Sequence, residues 1–191
     1  MKLLLRITTI ILGICLVLVA LYHLRTFQKP LPKLGAVPPF EFTERSGTTF
    51  GDEQLKGKVS VVNFIFTNCE GPCPMMSSKM ALLRNEFQNE GRVQFVSISV
   101  DPERDTLEAL KAYAGRYQAD DGRWFFLRGP PGGVSQLLLS GFKLSSEELP
   151  VMHTTRFVLV DREGEIRGYY DPLDPEGFKI LKKHVPLLLK E

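Results

Sequence analysis

Strand-like and helix-like segments alternate along most of this 191-residue chain. The stretch Val59–Phe66 reads VSVVNFIF and is apolar on both faces of an extended strand, which is typical of a sheet covered on both sides. Met75–Glu90 follows with apolar residues at helical spacing. The remaining predicted elements are strands at Val93–Val100, Trp124–Leu127, Thr155–Val160 and Ile166–Tyr170, and helices at Thr106–Tyr117, Val134–Ser140 and Pro175–Leu188.

This order predicts an α/β domain with a central mixed sheet flanked by helices. The sheet is expected to be parallel in its first part and to end in an antiparallel hairpin, because Thr155–Val160 and Ile166–Tyr170 are joined by a short turn. A small additional hairpin is predicted around Ser46-Gly47, ahead of the alternating part.

The N-terminal segment is a candidate membrane anchor. No residue from Ile7 to Tyr22 is charged, and His23-Leu24 extends the stretch to the short limit of about 20 residues for a spanning helix. A cleaved signal peptide is the alternative, but Leu18-Val19-Ala20 is a poor cleavage site, so an uncleaved anchor is favoured. The predicted organisation is a tail at 1–6, an anchor or signal peptide at 7–24, an extended proline-rich linker at 25–39 and a domain at 40–191.

The charges are unevenly distributed. The chain has 24 Lys and Arg against 22 Asp and Glu, but five of the cations and none of the acids precede Ala36. The folded part therefore carries 19 cations against 22 acids. A nucleic-acid-binding domain shows a basic stripe, and this composition predicts that nucleic acid is not a partner.

Two of the three cysteines follow the first buried strand directly. Cys69 and Cys73 are separated by a loop whose Gly71-Pro72 signals a turn, so the two sulfurs are expected to approach each other. Pro74 suits the first turn of the next helix, which places Cys73 at or next to the N-cap, where a thiolate is stabilised. Three residues separate the cysteines, unlike the C-x-x-C of common oxidoreductases.

A pair of thiolates suits a soft metal such as Cu(I) or Zn, and a third ligand would complete the site. A redox pair and a structural disulfide are the alternatives. A disulfide that closes so short a loop stabilises the fold little, because it constrains the unfolded chain only slightly. Spacing alone does not select the third ligand from three histidines. His153 precedes a core strand, whereas His23 and His184 are expected at the membrane edge and on the surface. Cys15, Met75 and Met76 are expected to have packing roles. Met75, Met76 and Met152 are alternative donors of a thioether sulfur to the metal.

Four separate motifs resemble the SCO/SenC family of copper-binding, membrane-anchored proteins with a thioredoxin-like fold. Phe66–Pro74 resembles the C-x3-C-P loop of this family, and Ser99–Thr106 resembles its VDPERDT segment. Trp124–Gly129 is similar to its W-x-x-L-x-G strand. His153-Thr154 with Phe157–Asp161 resembles the histidine of the family and the strand after it. The resemblance covers the chain from about Pro39 to the C-terminus.

The resemblance implies that Cys69, Cys73 and His153 bind one copper ion, as Cu(I), Cu(II) or both. It implies delivery of copper to the binuclear copper centre of cytochrome c oxidase, or reduction of the cysteines of that centre before loading. The implied partner is the copper-receiving subunit of the oxidase or another copper protein. It also implies an extracytoplasmic domain, in the bacterial periplasm or cell envelope, or in the mitochondrial intermembrane space of a eukaryote. The chain departs from the family pattern at Glu70, Met152 and Arg128, and none of these departures removes an implied ligand.

Three functions are compatible with this pattern. A metal-transfer protein is favoured over an enzyme. A thiol-disulfide reductase using Cys69 and Cys73 is the second, and a copper-dependent redox sensor is the third. Ser99–Thr106 also has two interpretations, either a partner-docking segment or a turn with a solvated charged face in which Asp105 or Thr106 caps the next helix.

Overall fold

The computed structural model describes residues 2–26, 30–144 and 155–191. These residues form two compact units, one reaching Pro30 and the other spanning Leu31–Glu191. The first unit holds helix α1, Lys2–Thr26, which includes the segment predicted as an anchor. Within the described ranges, none of the helices combines the length and hydropathy needed to cross a bilayer. The membrane role of residues 7–24 stays a prediction.

The second unit is built on one eight-stranded mixed sheet. Its strands are β1 Gly35–Ala36, β2 Glu41–Glu44, β3 Thr49–Gly51, β4 Val59–Ile65, β5 Val93–Ser99, β6 Trp124–Arg128, β7 Phe157–Val160 and β8 Glu165–Tyr170. The strand order is β1-β8-β7-β4-β5-β6-β2-β3. The central strands β4, β5 and β6 are parallel, and the other pairings are antiparallel. The predicted mixed sheet, its parallel first part and its closing hairpin are therefore confirmed.

The helices lie close to their predicted positions. They are α2 Cys73–Glu86, α3 Leu107–Arg116, α4 Pro131–Gln136 and α5 Pro175–Leu188, with a 3-10 turn at Asp52–Leu55 and a π-helical turn at Leu137–Gly141. The α2 helix begins two residues earlier than predicted, because Pro72 is the N-cap and Cys73 already has helical geometry. The predicted helix at Val134–Ser140 instead divides into α4 and the π-helical turn.

Both faces of the sheet are covered by apolar side chains. On β4, Val61 and Ile65 pack into one core, with side chains from α2, α3 and α5. Val62 and Phe64 pack into a second core on the opposite face, formed with the β2–β3 hairpin and α4. The alternation of β4 between two cores explains why its sequence is apolar throughout.

Part of the predicted linker lies along one edge of the sheet. Gly35 and Ala36 pair with β8, and Arg167 of β8 donates hydrogen bonds to the backbone oxygens of Leu31 (2.6 Å) and Pro32 (3.2 Å). The linker is extended as expected, but from Leu31 onward its backbone is hydrogen-bonded to the domain. The boundary predicted at residue 40 therefore leaves outside the domain a segment that pairs with its sheet.

Candidate functional site

The loop after β4 brings the two cysteines of the second unit together. Cys69 lies in this loop, where its backbone N–H donates to the oxygen of Phe66 (3.3 Å), and Cys73 is the first residue of α2. Neither cysteine is in a disulfide, and Cys69 is partly exposed whereas Cys73 is fully buried. A hydrogen bond joins the two thiol side chains. The structure therefore shows the approach of the sulfurs that the turn residues predict.

Burial decides the protonation of Cys73. Loss of solvent, followed by the hydrogen bond that the protonated Cys73 thiol forms with Cys69, raises the pKa of the Cys73 thiol from 9.0 to about 12. A helix N-terminus stabilises a negative charge by only about 0.3–1 kcal/mol, whereas each pKa unit corresponds to about 1.4 kcal/mol. The predicted thiolate at the start of α2 is therefore wrong for the protein without a metal. A soft cation entering this site displaces the thiol proton.

A buried carboxylate holds the cysteine loop from the side of β5. Asp105 is 1% exposed and accepts hydrogen bonds from the N–H (3.1 Å) and the hydroxyl (2.6 Å) of Thr67. The hydroxyl of Ser99, at the end of β5, donates to its other oxygen (2.5 Å). Thr67 precedes Cys69 by two residues, so Asp105 ties the loop that carries the exposed thiol to the adjacent strand.

The residues around Asp105 form a fixed turn. The N–H of Asp105 donates to the backbone oxygen of Asp101 (2.9 Å), and Arg128 donates to the backbone oxygen of Pro102 (2.8 Å). Arg128 is one of the departures from the family pattern, and here it supports this turn. Thr106 caps α3 by accepting from the N–H of Ala109 (3.2 Å).

The interpretation of Ser99–Thr106 as a solvated charged face is correct for only part of the segment. Glu103 and Arg104 are exposed, but Asp101 and Asp105 are buried. Asp105 was predicted only as a possible helix cap, and its contact with the cysteine loop was not predicted. One signal for this contact was present in the sequence, because Asp105 lies in the segment that follows β5. The carboxyl ends of the parallel strands β4 and β5 meet at one edge of the sheet, so this acid and the cysteine loop are expected to lie close together.

The side chains beside Cys73 are mostly buried. Met76 is fully buried and packs in the same core as Cys73, as predicted. Met75 is 57% exposed on α2 and lines a shallow groove with Leu82 and Leu173, so it does not pack in the core. The hydroxyls of Ser77 and Tyr113 form a buried hydrogen bond (2.8 Å). Burial raises the pKa of Tyr113, which keeps this hydroxyl pair neutral.

The implied third ligand lies outside the described residues. This applies to His153 and to Met152 beside it. Across residues 2–26, 30–144 and 155–191, no three His, Cys, Asp or Glu side chains are grouped so that they could hold a metal. The ligand set of Cys69, Cys73 and His153 stays a prediction.

The other candidate residues have separate environments. His184 is partly buried, and its Nδ1 lies 2.7 Å from the hydroxyl of Tyr170. Cys15 is exposed on α1. The expectation for His23 stays a prediction.

Comparisons with known proteins agree with the resemblance. A family model described as SCO1/SenC matches residues 29–185. The SCO1 protein homolog of Bacillus subtilis (strain 168) is 35% identical over 144 residues, which cover 72% of this chain and 75% of the relative.

Solved structures show the same fold. A SCO1/SenC family lipoprotein from Bacillus anthracis str. Ames has a TM-score of 0.76 at 32% identity, covering 84% of this chain and 99% of that chain. Yeast Sco1 with copper bound has a TM-score of 0.65 at 26% identity, covering 81% of this chain and 90% of that chain.

Proposed function

Because this chain belongs to the SCO1/SenC family, we propose that it is a copper metallochaperone. It binds one copper ion through Cys69, Cys73 and His153. It delivers this ion to the binuclear copper centre of cytochrome c oxidase, or helps that centre to mature. Residues 7–24 anchor it in a membrane, with the domain on the extracytoplasmic side.

The observation that carries the proposal is the pair of adjacent thiols, not joined by a disulfide, at the carboxyl end of β4. Soft sulfur ligands select Cu(I), and an imidazole suits both Cu(I) and Cu(II). The donor chemistry of these side chains therefore fits copper. The copper-bound structure of yeast Sco1, which shares this fold, supports the same assignment.

The different exposure of the two thiols defines how the ion enters and leaves. Cys69 is partly exposed, so it is the first sulfur that an incoming ion or a partner ligand meets. Cys73 is buried and protonated without a metal, so binding releases its proton. Transfer is then an exchange in which ligands of the partner replace Cys69 first and the buried sulfur of Cys73 last.

Copper binding by the reduced full-length protein in detergent micelles tests this proposal. We expect about one Cu(I) per chain in competition with a chelator, and loss of this binding in the separate variants Cys69→Ala, Cys73→Ala and His153→Ala. Cys15→Ala and His184→Gln are matched controls that keep wild-type binding. Undiminished affinity in His153→Ala removes that residue from the ligand set, and a reduced wild-type protein that ignores copper contradicts the chaperone function.

The contact between two thiols that are not joined by a disulfide also supports a second function, thiol-disulfide reduction. In this reaction the Cys69 thiolate attacks a partner disulfide, forming a mixed disulfide and releasing one partner thiol. Cys73, as its thiolate, then displaces the second partner thiol, which leaves a Cys69–Cys73 disulfide. A reductase keeps its activity in His153→Ala, whereas a copper chaperone with the proposed ligands does not. The same variant therefore separates the two functions.

A further inference from the structure

We infer that Asp105 is a positioning residue for the cysteine loop, which means that its carboxylate sets the geometry of Cys69 relative to Cys73. This inference rests on the proposed function of the two thiols. Asp105 itself is neither a metal ligand nor a reacting group in this inference, because its oxygens are occupied by hydrogen bonds from Thr67 and Ser99.

Asp105 is itself held in a fixed position. It is 1% exposed, its backbone N–H is bonded to Asp101, and the hydroxyl of Ser99 holds one of its side-chain oxygens. Ser99 is the last residue of β5 and is in register with Ile65, the last residue of β4. The carboxylate is therefore attached to the rigid centre of the sheet at the point where the cysteine loop begins.

Asp105 contacts the cysteine loop through Thr67. Thr67 donates both its N–H and its hydroxyl to Asp105, over distances of 3.1 and 2.6 Å. Only Asn68 separates Thr67 from Cys69. Hydrogen bonds to a charged acceptor are stronger than hydrogen bonds between neutral groups. The two hydrogen bonds from Thr67 therefore restrain the loop just before the exposed thiol.

The carboxylate of Asp105 accepts hydrogen bonds from this loop and does not belong to an ion pair among the described residues. Among the residues that the structure describes, no Lys, Arg or His side chain forms an ion pair with Asp105. A buried charge is costly unless it is well hydrogen-bonded, and its bonding partners here are the loop and the end of β5. Loss of the carboxylate leaves the donors of Thr67 without their acceptor.

The main test compares Asp105→Ala with Asp161→Ala in the full-length protein. Asp161 is also a buried aspartate that holds a turn, accepting from the N–H groups of Glu163 and Glu165. It follows Val160, which pairs with Ser60 near the start of β4, whereas the cysteine loop follows the other end of β4. We expect Asp105→Ala to lower the Cu(I) affinity by about 10- to 100-fold. Asp161→Ala is expected to lose stability while keeping wild-type copper affinity.

A second measurement needs no copper. The dithiol and disulfide forms of Cys69 and Cys73 are equilibrated with reduced and oxidised dithiothreitol. Because the restrained loop holds the thiols in contact, Asp105→Ala is expected to shift this equilibrium toward the dithiol. If the wild-type protein fails to bind Cu(I), the chaperone proposal fails, but this equilibrium still tests the positioning role.

Conservative variants distinguish positioning from a general structural role. Asp105→Asn keeps an oxygen that can accept from Thr67, so it is expected to recover part of the affinity lost in Asp105→Ala. Thr67→Ser retains the hydroxyl and keeps wild-type behaviour, whereas Thr67→Val loses affinity. The effects of Thr67→Val and Asp105→Ala are expected to be less than additive, because both remove the same contact.

Two results overturn the inference. One is a folded Asp105→Ala protein with wild-type copper affinity and wild-type thiol exchange. The other is an equal loss of affinity in Asp161→Ala, which would make the effect a general consequence of destabilisation. If Asp105→Ala does not fold, Thr67→Val decides, since it removes only one hydroxyl from a partly exposed residue.

Discussion

At the scale of single residues, the two cysteines differ in their access to solvent and therefore in their chemistry. Cys69 and Cys73 share one short loop, but only Cys73 is enclosed by the core around Met76 and Met80. Thiolate is the reactive form of cysteine, and burial in apolar surroundings disfavours it. One thiol is thus suited to making contact with a partner and the other to retaining what has been bound.

This difference predicts the order of alkylation. In a Cys15→Ser background, iodoacetamide at about pH 8 is expected to label Cys69 first, and Cys73 only after the protein is unfolded in urea. Peptide mass spectrometry of the reduced protein over time measures both rates. Equal labelling of the two cysteines in the folded protein would contradict the burial of Cys73.

His184 predicts a dependence of stability on pH. Its partial burial lowers its pKa below the ordinary value of 6.5. As the pH falls through about 6.5, the unfolded chain binds a proton that the folded protein does not bind, so the free energy of unfolding decreases. The decrease ends below the lowered pKa of the folded state.

Urea unfolding at about pH 7.5 and about pH 5.5 measures this effect. The wild-type protein is expected to lose more stability between these values than His184→Gln, while the exposed control Lys183→Gln behaves as the wild type does. An identical loss in the wild type and in His184→Gln would show that the imidazole does not contribute.

At the scale of elements, Arg167 joins three parts of the chain. Its guanidinium lies 2.7 Å from a carboxylate oxygen of Asp161 and 2.6 Å from one of Glu191, and it also donates to the backbone oxygens of Leu31 and Pro32. Arg167 and Asp161 are only 2% and 3% exposed in their side chains. The β7–β8 hairpin, the C-terminal residue and the segment before β1 are therefore held by one side chain.

Replacement of this side chain is expected to be strongly destabilising. Removing one partner of a buried ion pair typically costs about 3–5 kcal/mol, because the other charge stays buried without compensation. We expect a loss of this size for Arg167→Met in urea unfolding. Lys179→Met is the matched control, since its pair with Glu176 is exposed and such pairs contribute at most about 1 kcal/mol. Equal small losses in both variants would contradict the role given to Arg167.

At the scale of the whole molecule, the sequence predicted the features that depend on local pattern. The closing helix Pro175–Leu188 agrees with α5, and the strand predicted at Val59–Phe66 agrees with β4 to within one residue. Strong periodicity and clear helix-start residues make such elements readable. The placement of the cysteines after β4 follows from the same pattern.

Features that depend on distant contacts were not predictable in this way. Thr67 and Asp105 are 38 residues apart, and only the pairing of β4 with β5 brings them together. The raised pKa of Cys73 depends on burial by the folded core, which outweighs the local effect of the helix start. The pairing of Gly35 with Ile166 joins a proline-rich segment, which has no strand periodicity, to a strand far along the chain.

That pairing has a consequence for self-association. Without the segment before residue 40, β8 would present unpaired backbone donors and acceptors along its outer side, and open edges of this kind recruit strands from other molecules. Here the N–H of Leu34 donates to the oxygen of Ile166 (2.8 Å) and that of Val37 to the oxygen of Gly164 (2.9 Å). The short segment around β1 thus covers the edge of β8. A fragment that begins at Phe40 lacks this segment and exposes a strand edge that is prone to aggregation.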